Sequence, residues 1–141
     1  MIKRDIKTDL EIQRLKLFEA IDDGEFDEVR IIINDIRPHQ RKNLLKSCNY
    51  NGMNCLHMAC MKGAYELCDY LISAYQAHNI SIVERDHRGY PTFMLAAIYG
   101  YTKKKRYKIE LGEESYSRRY LIIKSFVNNG VNLSKIKRTN A

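Results

Sequence analysis

One phrase recurs three times along this chain. In its clearest form it runs Asn51-Gly52-Met53-Asn54-Cys55-Leu56-His57-Met58-Ala59-Cys60-Met61-Lys62-Gly63, followed by Glu66-Leu67-Cys68-Asp69-Tyr70-Leu71-Ile72. The residue types read as a tight turn, a short helix, a glycine stop and a second helix. Leu17-Phe18-Glu19-Ala20-Ile21-Asp22-Asp23-Gly24, with Val29, Ile32 and Ile33, aligns upstream. Gly89-Tyr90-Pro91-Thr92-Phe93-Met94-Leu95-Ala96-Ala97-Ile98-Tyr99-Gly100 aligns downstream. The helix-stop glycines Gly24, Gly63 and Gly100 therefore stand 39 and 37 positions apart. A helical hairpin repeated at such a period buries its apolar face against its neighbours, so the chain is predicted to stack into a solenoid.

The phrase resembles the ankyrin repeat, whose units carry Gly-x-Thr-Pro-Leu-His. Gly52, Leu56 and His57 match it in the second unit, with Asn54 in place of threonine and Cys55 in place of proline. Asparagine still accepts from the first free helix amides, which keeps the start signal. The third unit keeps Gly89 but has Pro91-Thr92 in reversed order, and Phe93-Met94 where leucine and histidine would stand. The resemblance implies an all-α, right-handed stack of helix-turn-helix hairpins, in which turn tips and first helices line a concave surface. The expected repeats cover about 9–48, 49–84 and 85–132, with a basic tail at 133–141, all in one domain spanning 1–141. Gly52 and Gly89 are expected to shape the turns, and Leu56, His57, Ala59, Leu71, Ala96 and Ile122 to hold the stack.

Composition agrees with a folded globular chain: 141 residues, 45% hydrophobic and 29% charged. Runs such as Ile31-Ile32-Ile33 fall far short of the roughly 20 apolar residues a membrane helix needs. No apolar signal-peptide stretch follows Met1-Ile2-Lys3-Arg4, so a cytoplasmic location is expected, with a nuclear one open. Cys48, Cys55, Cys60 and Cys68 show no Cys-x-x-Cys spacing, and read as reduced, buried small hydrophobes. No metal site and no cofactor is expected.

Thr8-Asp9-Leu10-Glu11 has the form of a capping box, which predicts a first helix over about Asp9–Asp23. Pro38 suits a first helical turn and predicts extra helix in the connection after Ile36. The second hairpin is expected over Asn54–Lys62 and Ala64–Gln76. Ile80-Ser81-Ile82-Val83 alternates and is β-branched, which suggests a brief extended segment before the turn at Asp86-His87-Arg88-Gly89.

The third unit departs from the period. After Gly100 the next helical stretch, Leu121 to Gly130, begins only after an added segment at 102–119, expected to protrude as a hairpin or mobile loop. It contains Lys103-Lys104-Lys105-Arg106-Tyr107-Lys108. Residues 1–50 hold ten basic and ten acidic side chains, 51–100 hold three and four, and 101–141 hold eleven and three. The whole excess of +7 thus lies in the last third, which favours acidic partners: a protein, RNA or an anionic surface. The bland alternative is a solvated loop that keeps the chain soluble.

Catalytic patterns are missing from the sequence. His57 reads as a structural histidine bonded within its own turn. His39, His78 and His87 fall in connections, and neither His-Glu-x-x-His nor Gly-x-Ser-x-Gly occurs. Asp22-Asp23 and Glu113-Glu114 are adjacent, so their side chains diverge. The resemblance therefore implies a non-catalytic interaction scaffold with a protein partner that has an acidic surface. Its expected contact residues are the turn tips Tyr50, Asn51, Met53, His87, Arg88 and Tyr90, and the inserted Lys103, Lys104, Lys105, Arg106 and Tyr107. Tyrosines interleaved with the basic residues keep nucleic acid as a second reading. Short viral ankyrin proteins resembling inhibitors of NF-kappa-B are of similar size, so a viral or bacterial host-directed effector is a third; its concave face would be acidic, against the basic excess. Asn128-Asn129-Gly130-Val131-Asn132-Leu133 is similar to the phrase that ends one ankyrin unit and leads into the next, so either an N-terminal piece of a longer ankyrin protein or a short stack closed by its basic tail is expected, the former preferred.

Overall fold

The structure is a computed structural model and describes residues 6–99 and 112–135. Among the described residues seven α-helices follow one another: α1 (Ile6–Asp23), α2 (Phe26–Asp35), α3 (Pro38–Lys46), α4 (Cys55–Lys62), α5 (Tyr65–Ala77), α6 (Thr92–Tyr99) and α7 (Gly112–Asn128), with a 3-10 turn at Leu133–Lys135. Over the same residues β-pairing is confined to two isolated bridges, Cys48 with Asn54 and Arg85 with Pro91. The all-α expectation holds. Helices α1 and α2, α4 and α5, and α6 and α7 pack as hairpins; α1 stacks on α4, α4 on α6, and α5 on α7.

Local chemistry explains the elements. In α2, Val29, Ile32 and Ile33 recur at helical spacing and are all buried, giving the apolar stripe that packs on α1. Asn54 caps α4: its side chain accepts from the His57 amide at 2.9 Å, while the His57 ring accepts from the Asn54 amide at 3.1 Å. This reciprocal pair is a capping box built from asparagine and histidine, worth about 1 kcal/mol at the cap. Gly63 ends α4 in the left-handed region, φ 68°, a conformation that glycine adopts without steric cost. The chain then reverses into α5, whose Leu67, Cys68, Leu71, Ile72 and Tyr75 are buried.

Helix α3 belongs to no hairpin and seals the first unit to the second. Arg41 donates to the carbonyls of Ile33 at 2.9 Å and Asn34 at 3.0 Å, satisfying orphan acceptors at the end of α2. Leu44 and Leu45 are fully buried, and the Tyr75 hydroxyl donates to the Leu45 carbonyl at 2.6 Å. The Cys55 thiol lies 3.2 Å from that same hydroxyl. Burial pushes the Cys55 thiol up to about 12, so it stays protonated and acts as a packing group.

Four expectations are corrected. Helix α1 begins at Ile6, so the Thr8–Glu11 capping box falls inside its first turn; Ile6 and Lys7 are residue types that do not break a helix, and each further residue adds a backbone bond. Residues 80–83 form no strand: Ile82 and Val83 lie in a turn, and the alternation reflects Ile80 and Ile82 pointing into the core. Cys48 is exposed, whereas Cys55, Cys60 and Cys68 are buried, because Cys48 lies in the bridged connection between α3 and α4, outside the hairpin. Helix α7 begins at Gly112, so 112–119 extends a helix and is not loop.

The insertion can now be sized. Gly52 to Gly89 spans 37 positions, but the matching left-handed residues that end α5 and α7, Asn79 (φ 57°) and Gly130 (φ 97°), stand 51 apart. Of the 14 extra residues, four lengthen α7, which has 17 residues against 13 in α5. The others fall between Tyr99 and Gly112.

Candidate interaction surface

Two turns project from the stack and are built alike. The Asn49 side-chain oxygen accepts from the amides of Asn51 at 2.9 Å and Met53 at 3.1 Å. Thirty-seven positions on, one Asp86 oxygen accepts from the amides of Arg88 and Tyr90, both at 2.9 Å. In each turn the glycine amide bonds back to the same residue's carbonyl, Gly52 to Asn49 and Gly89 to Asp86, both at 2.9 Å. An Asn or Asp at the first position with Gly at the fourth is the signature of such a turn. Burial raises the Asp86 carboxyl, but the hydrogen bonds from Tyr90 and Arg88 outweigh it and hold the group below its ordinary value.

The turns are joined to each other. The His87 amide donates to the Asn51 carbonyl at 2.9 Å, and Gly52 lies so close that a Cβ there would meet the His87 ring at 2.4 Å and its backbone nitrogen at 2.8 Å. From below, the His57 ring is 3.1 Å from the Tyr90 carbonyl. Since Nδ1 accepts from Asn54, the network assigns the proton to Nε2, which donates to Tyr90. Burial lowers the His57 pKa, with the Tyr90 carbonyl opposing it, so the imidazole is neutral. The family pattern implied a bond within its own turn; the structure adds a second bond that fastens the next turn.

The scaffold presents some of the expected residues and withdraws others. Tyr50 stands 89% exposed, and Asn51, His87 and Arg88 are exposed. Met53 is buried at 4%, because it follows the turn and points into the core. Tyr90 is half-buried, with the Arg88 guanidinium 4.8 Å from its ring centroid. Arg88 also pairs with Asp86 at 3.0 Å and donates to the Tyr99 hydroxyl at 3.2 Å, so its cation is held over an aromatic surface. Tyr99 is thus part of this cluster. Lys103, Lys104, Lys105, Arg106 and Tyr107 lie outside the described residues. Their segment attaches at the C-terminal end of α6, whereas the turns precede its N-terminal end. Eight helical residues, about 12 Å of rise, separate the two attachment points.

Asn49 went unremarked as a contact residue in the sequence, and Tyr99 stood there only among the tyrosines interleaved with basic residues. The signal for Asn49 is present, since both turns place an Asn or Asp three residues before glycine. Tyr99 has no such signal, because its contact with Arg88 depends on the packing of α6. The cleft beneath the turns, lined by Lys46, Cys48, Gly52, Asn54, Ile80, Glu84 and Arg85, measures about 220 Å³. That is below the roughly 300–1,000 Å³ of small-molecule sites. Among the described residues no three His, Cys, Asp or Glu side chains gather as metal ligands, and no helix is long and apolar enough to cross a membrane.

Stacked helical hairpins with projecting, mutually bonded turns define a helical-repeat solenoid. The chain belongs to the ankyrin-repeat family: three ankyrin repeats are matched over residues 17–110. Ankyrin repeats generally mediate protein–protein interactions, and the family is typically non-catalytic. No curated protein matches the chain in sequence.

Proposed function

We propose that this protein is a non-catalytic interaction module, cytoplasmic in location, that binds an acidic protein partner through Tyr50, Asn51, His87 and Arg88. The observation that carries this reading is the joined pair of turns. An exposed tyrosine and an arginine held over the Tyr90 ring are the residue types that dominate interface energies, and here they stand on backbone that is already ordered, so little entropy is lost on binding. Arg88, already paired with Asp86, offers its remaining N–H donors to a partner's carboxylate, and the basic last third of the chain adds long-range attraction. The buried Met53 supports the turn and is no longer counted among the contacts; Tyr90 contributes its ring to the Arg88 stack. Lys103, Lys104, Lys105, Arg106 and Tyr107 remain a proposed auxiliary contact.

Affinity capture from the source cell after nuclease treatment, followed by calorimetry with the purified captured protein, tests this. The native chain is expected to form a one-to-one complex. Tyr50→Ala with Arg88→Ala should weaken it by about 2–4 kcal/mol. Neutralising Lys103 to Arg106 should slow association chiefly at low salt. Capture abolished by nuclease would replace this reading with nucleic-acid binding, for which affinity falls steeply with salt. Full affinity in the double variant would remove the turn tips from the site.

A further inference from the structure

The third unit repeats the second in detail where one unit meets the next. Helices α5 and α7 correspond at an offset of 51, Leu71 with Ile122 and Tyr75 with Phe126. Both end alike: the Ile80 amide donates to the Tyr75 carbonyl at 2.9 Å, and the Val131 amide to that of Phe126 at 3.1 Å. The loops beyond also match, for Ser81 accepts from the Val83 amide at 3.2 Å and Asn132 from the Ser134 amide at 3.1 Å.

This correspondence identifies the faces. In the second unit, Asp69 accepts from the Ser125 hydroxyl at 2.8 Å, Gln76 donates to the Asn129 carbonyl at 3.4 Å, and the Ile82 carbonyl accepts from Thr92. These three residues dock the third unit. Their counterparts in the third unit are Tyr120, Val127 and Leu133, which are 62%, 45% and 42% exposed. Where the second unit uses two polar side chains, the third displays an apolar face.

The opposite end of the stack has its own exposed position. Tyr70 and Leu121 face the preceding unit: the Arg30 guanidinium lies 5.3 Å from the Tyr70 ring, and Leu121 shares a cleft with Asp69. Their counterpart in the first unit is Ile31, 51% exposed. The counterpart of Ser125 is Asp35, which opens with Asp9 and Ile36 onto a cleft of about 210 Å³. The outer faces of the third and first units thus carry the complementary halves of the pair that joins the second and third units, Asp69 accepting from Ser125, with polarity reversed: Tyr120 has the hydroxyl and Asp35 the carboxylate.

We infer that two copies of this chain associate head to tail, the third unit of one continuing its stack onto the first unit of the next. Tyr120, Val127 and Leu133 of one copy cover Ile31 of the other, with the Tyr120 hydroxyl donating to Asp35. Charge selects this polarity. Residues 101–141 hold eleven basic and three acidic side chains, whereas residues 1–50 are balanced; joining two third units would bring like charge together. The contact is heterologous, so it leaves one end free at each step and can continue into longer arrays. The few apolar side chains involved place its dissociation constant on the order of 10 μM or above.

Sedimentation velocity on the full chain from about 1 to 300 μM, a range bracketing that constant, tests the inference. The native chain should gain mass with concentration and pass beyond the dimer. Ile31→Glu and Tyr120→Glu should each abolish self-association, yet an equimolar mixture of the two should form a dimer and stop there, because each retains one intact end. Circular dichroism verifies that both variants are folded, and Ile31→Asn and Tyr120→Asn replace any that are not. A native chain that stays monomeric throughout overturns the proposal, and leaves the apolar face to a different partner. So does an Ile31→Glu chain that still self-associates, which would mean that two third units pair.

Discussion

Single residues carry two sharply different kinds of constraint. Gly52 is needed for its positive φ of 76° and for the space that His87 occupies, whereas Gly24, with φ 78°, has nothing within 4 Å of where an added Cβ would stand. Gly24→Ala should therefore cost about 1 kcal/mol from backbone strain alone, and Gly52→Ala about 2–3 kcal/mol or more, because the turns must separate. Urea denaturation of the two variants checks the difference; equal losses would show that the turns are not in contact. His57 makes stability depend on pH. Its folded-state pKa is lowered by burial from the ordinary 6.5, so the unfolded chain takes up the proton first as pH falls. This contribution is intact above about 6.5 and declines below it, until the folded form also protonates. The denaturation midpoint should drop between about pH 7.5 and 5.5, and His57→Gln should lose that component of the slope. At the cysteines, Cys48 should react with a thiol reagent in the native state, while Cys55, Cys60 and Cys68 react only on unfolding.

At the scale of the elements, α3 is the part that most alters the simple repeat. The Tyr75 hydroxyl reaches its last turn, so Tyr75→Phe leaves the Leu45 carbonyl with only the distant Cys55 thiol, 4.0 Å away, and should cost about 1–2 kcal/mol in equilibrium unfolding. An unchanged midpoint would show that water replaces the bond. Helix starts and stops were legible where one residue decides them: Pro38 opens α3 and Gly63 closes α4, as their backbone chemistry requires. The apolar spacing of Val29, Ile32 and Ile33 likewise specified a buried face. What the sequence concealed depends on packing across units. Alternation at 80–83 looked like a strand because a loop over a core also turns every second side chain inward, and only the presence of a pairing neighbour distinguishes the two. The beginning of α7 was hidden because polar residues 112–119 carry no apolar stripe. The candidate surface was half legible: turn residues announce themselves, but whether Met53 or Tyr50 faces solvent depends on how the turn meets the core.

For the whole molecule, the bond from the His87 amide to the Asn51 carbonyl sets the distance between the two projecting turns. That bond uses backbone alone, and the side chains at Tyr50, Asn51, His87 and Arg88 take no part in it. The protein therefore holds a ruler whose graduations are independent of what is written on them. In the proposed binding mode, substitutions at those four positions would change what a partner meets while the spacing presented to it stays the same, so specificity would drift without the scaffold having to be rebuilt.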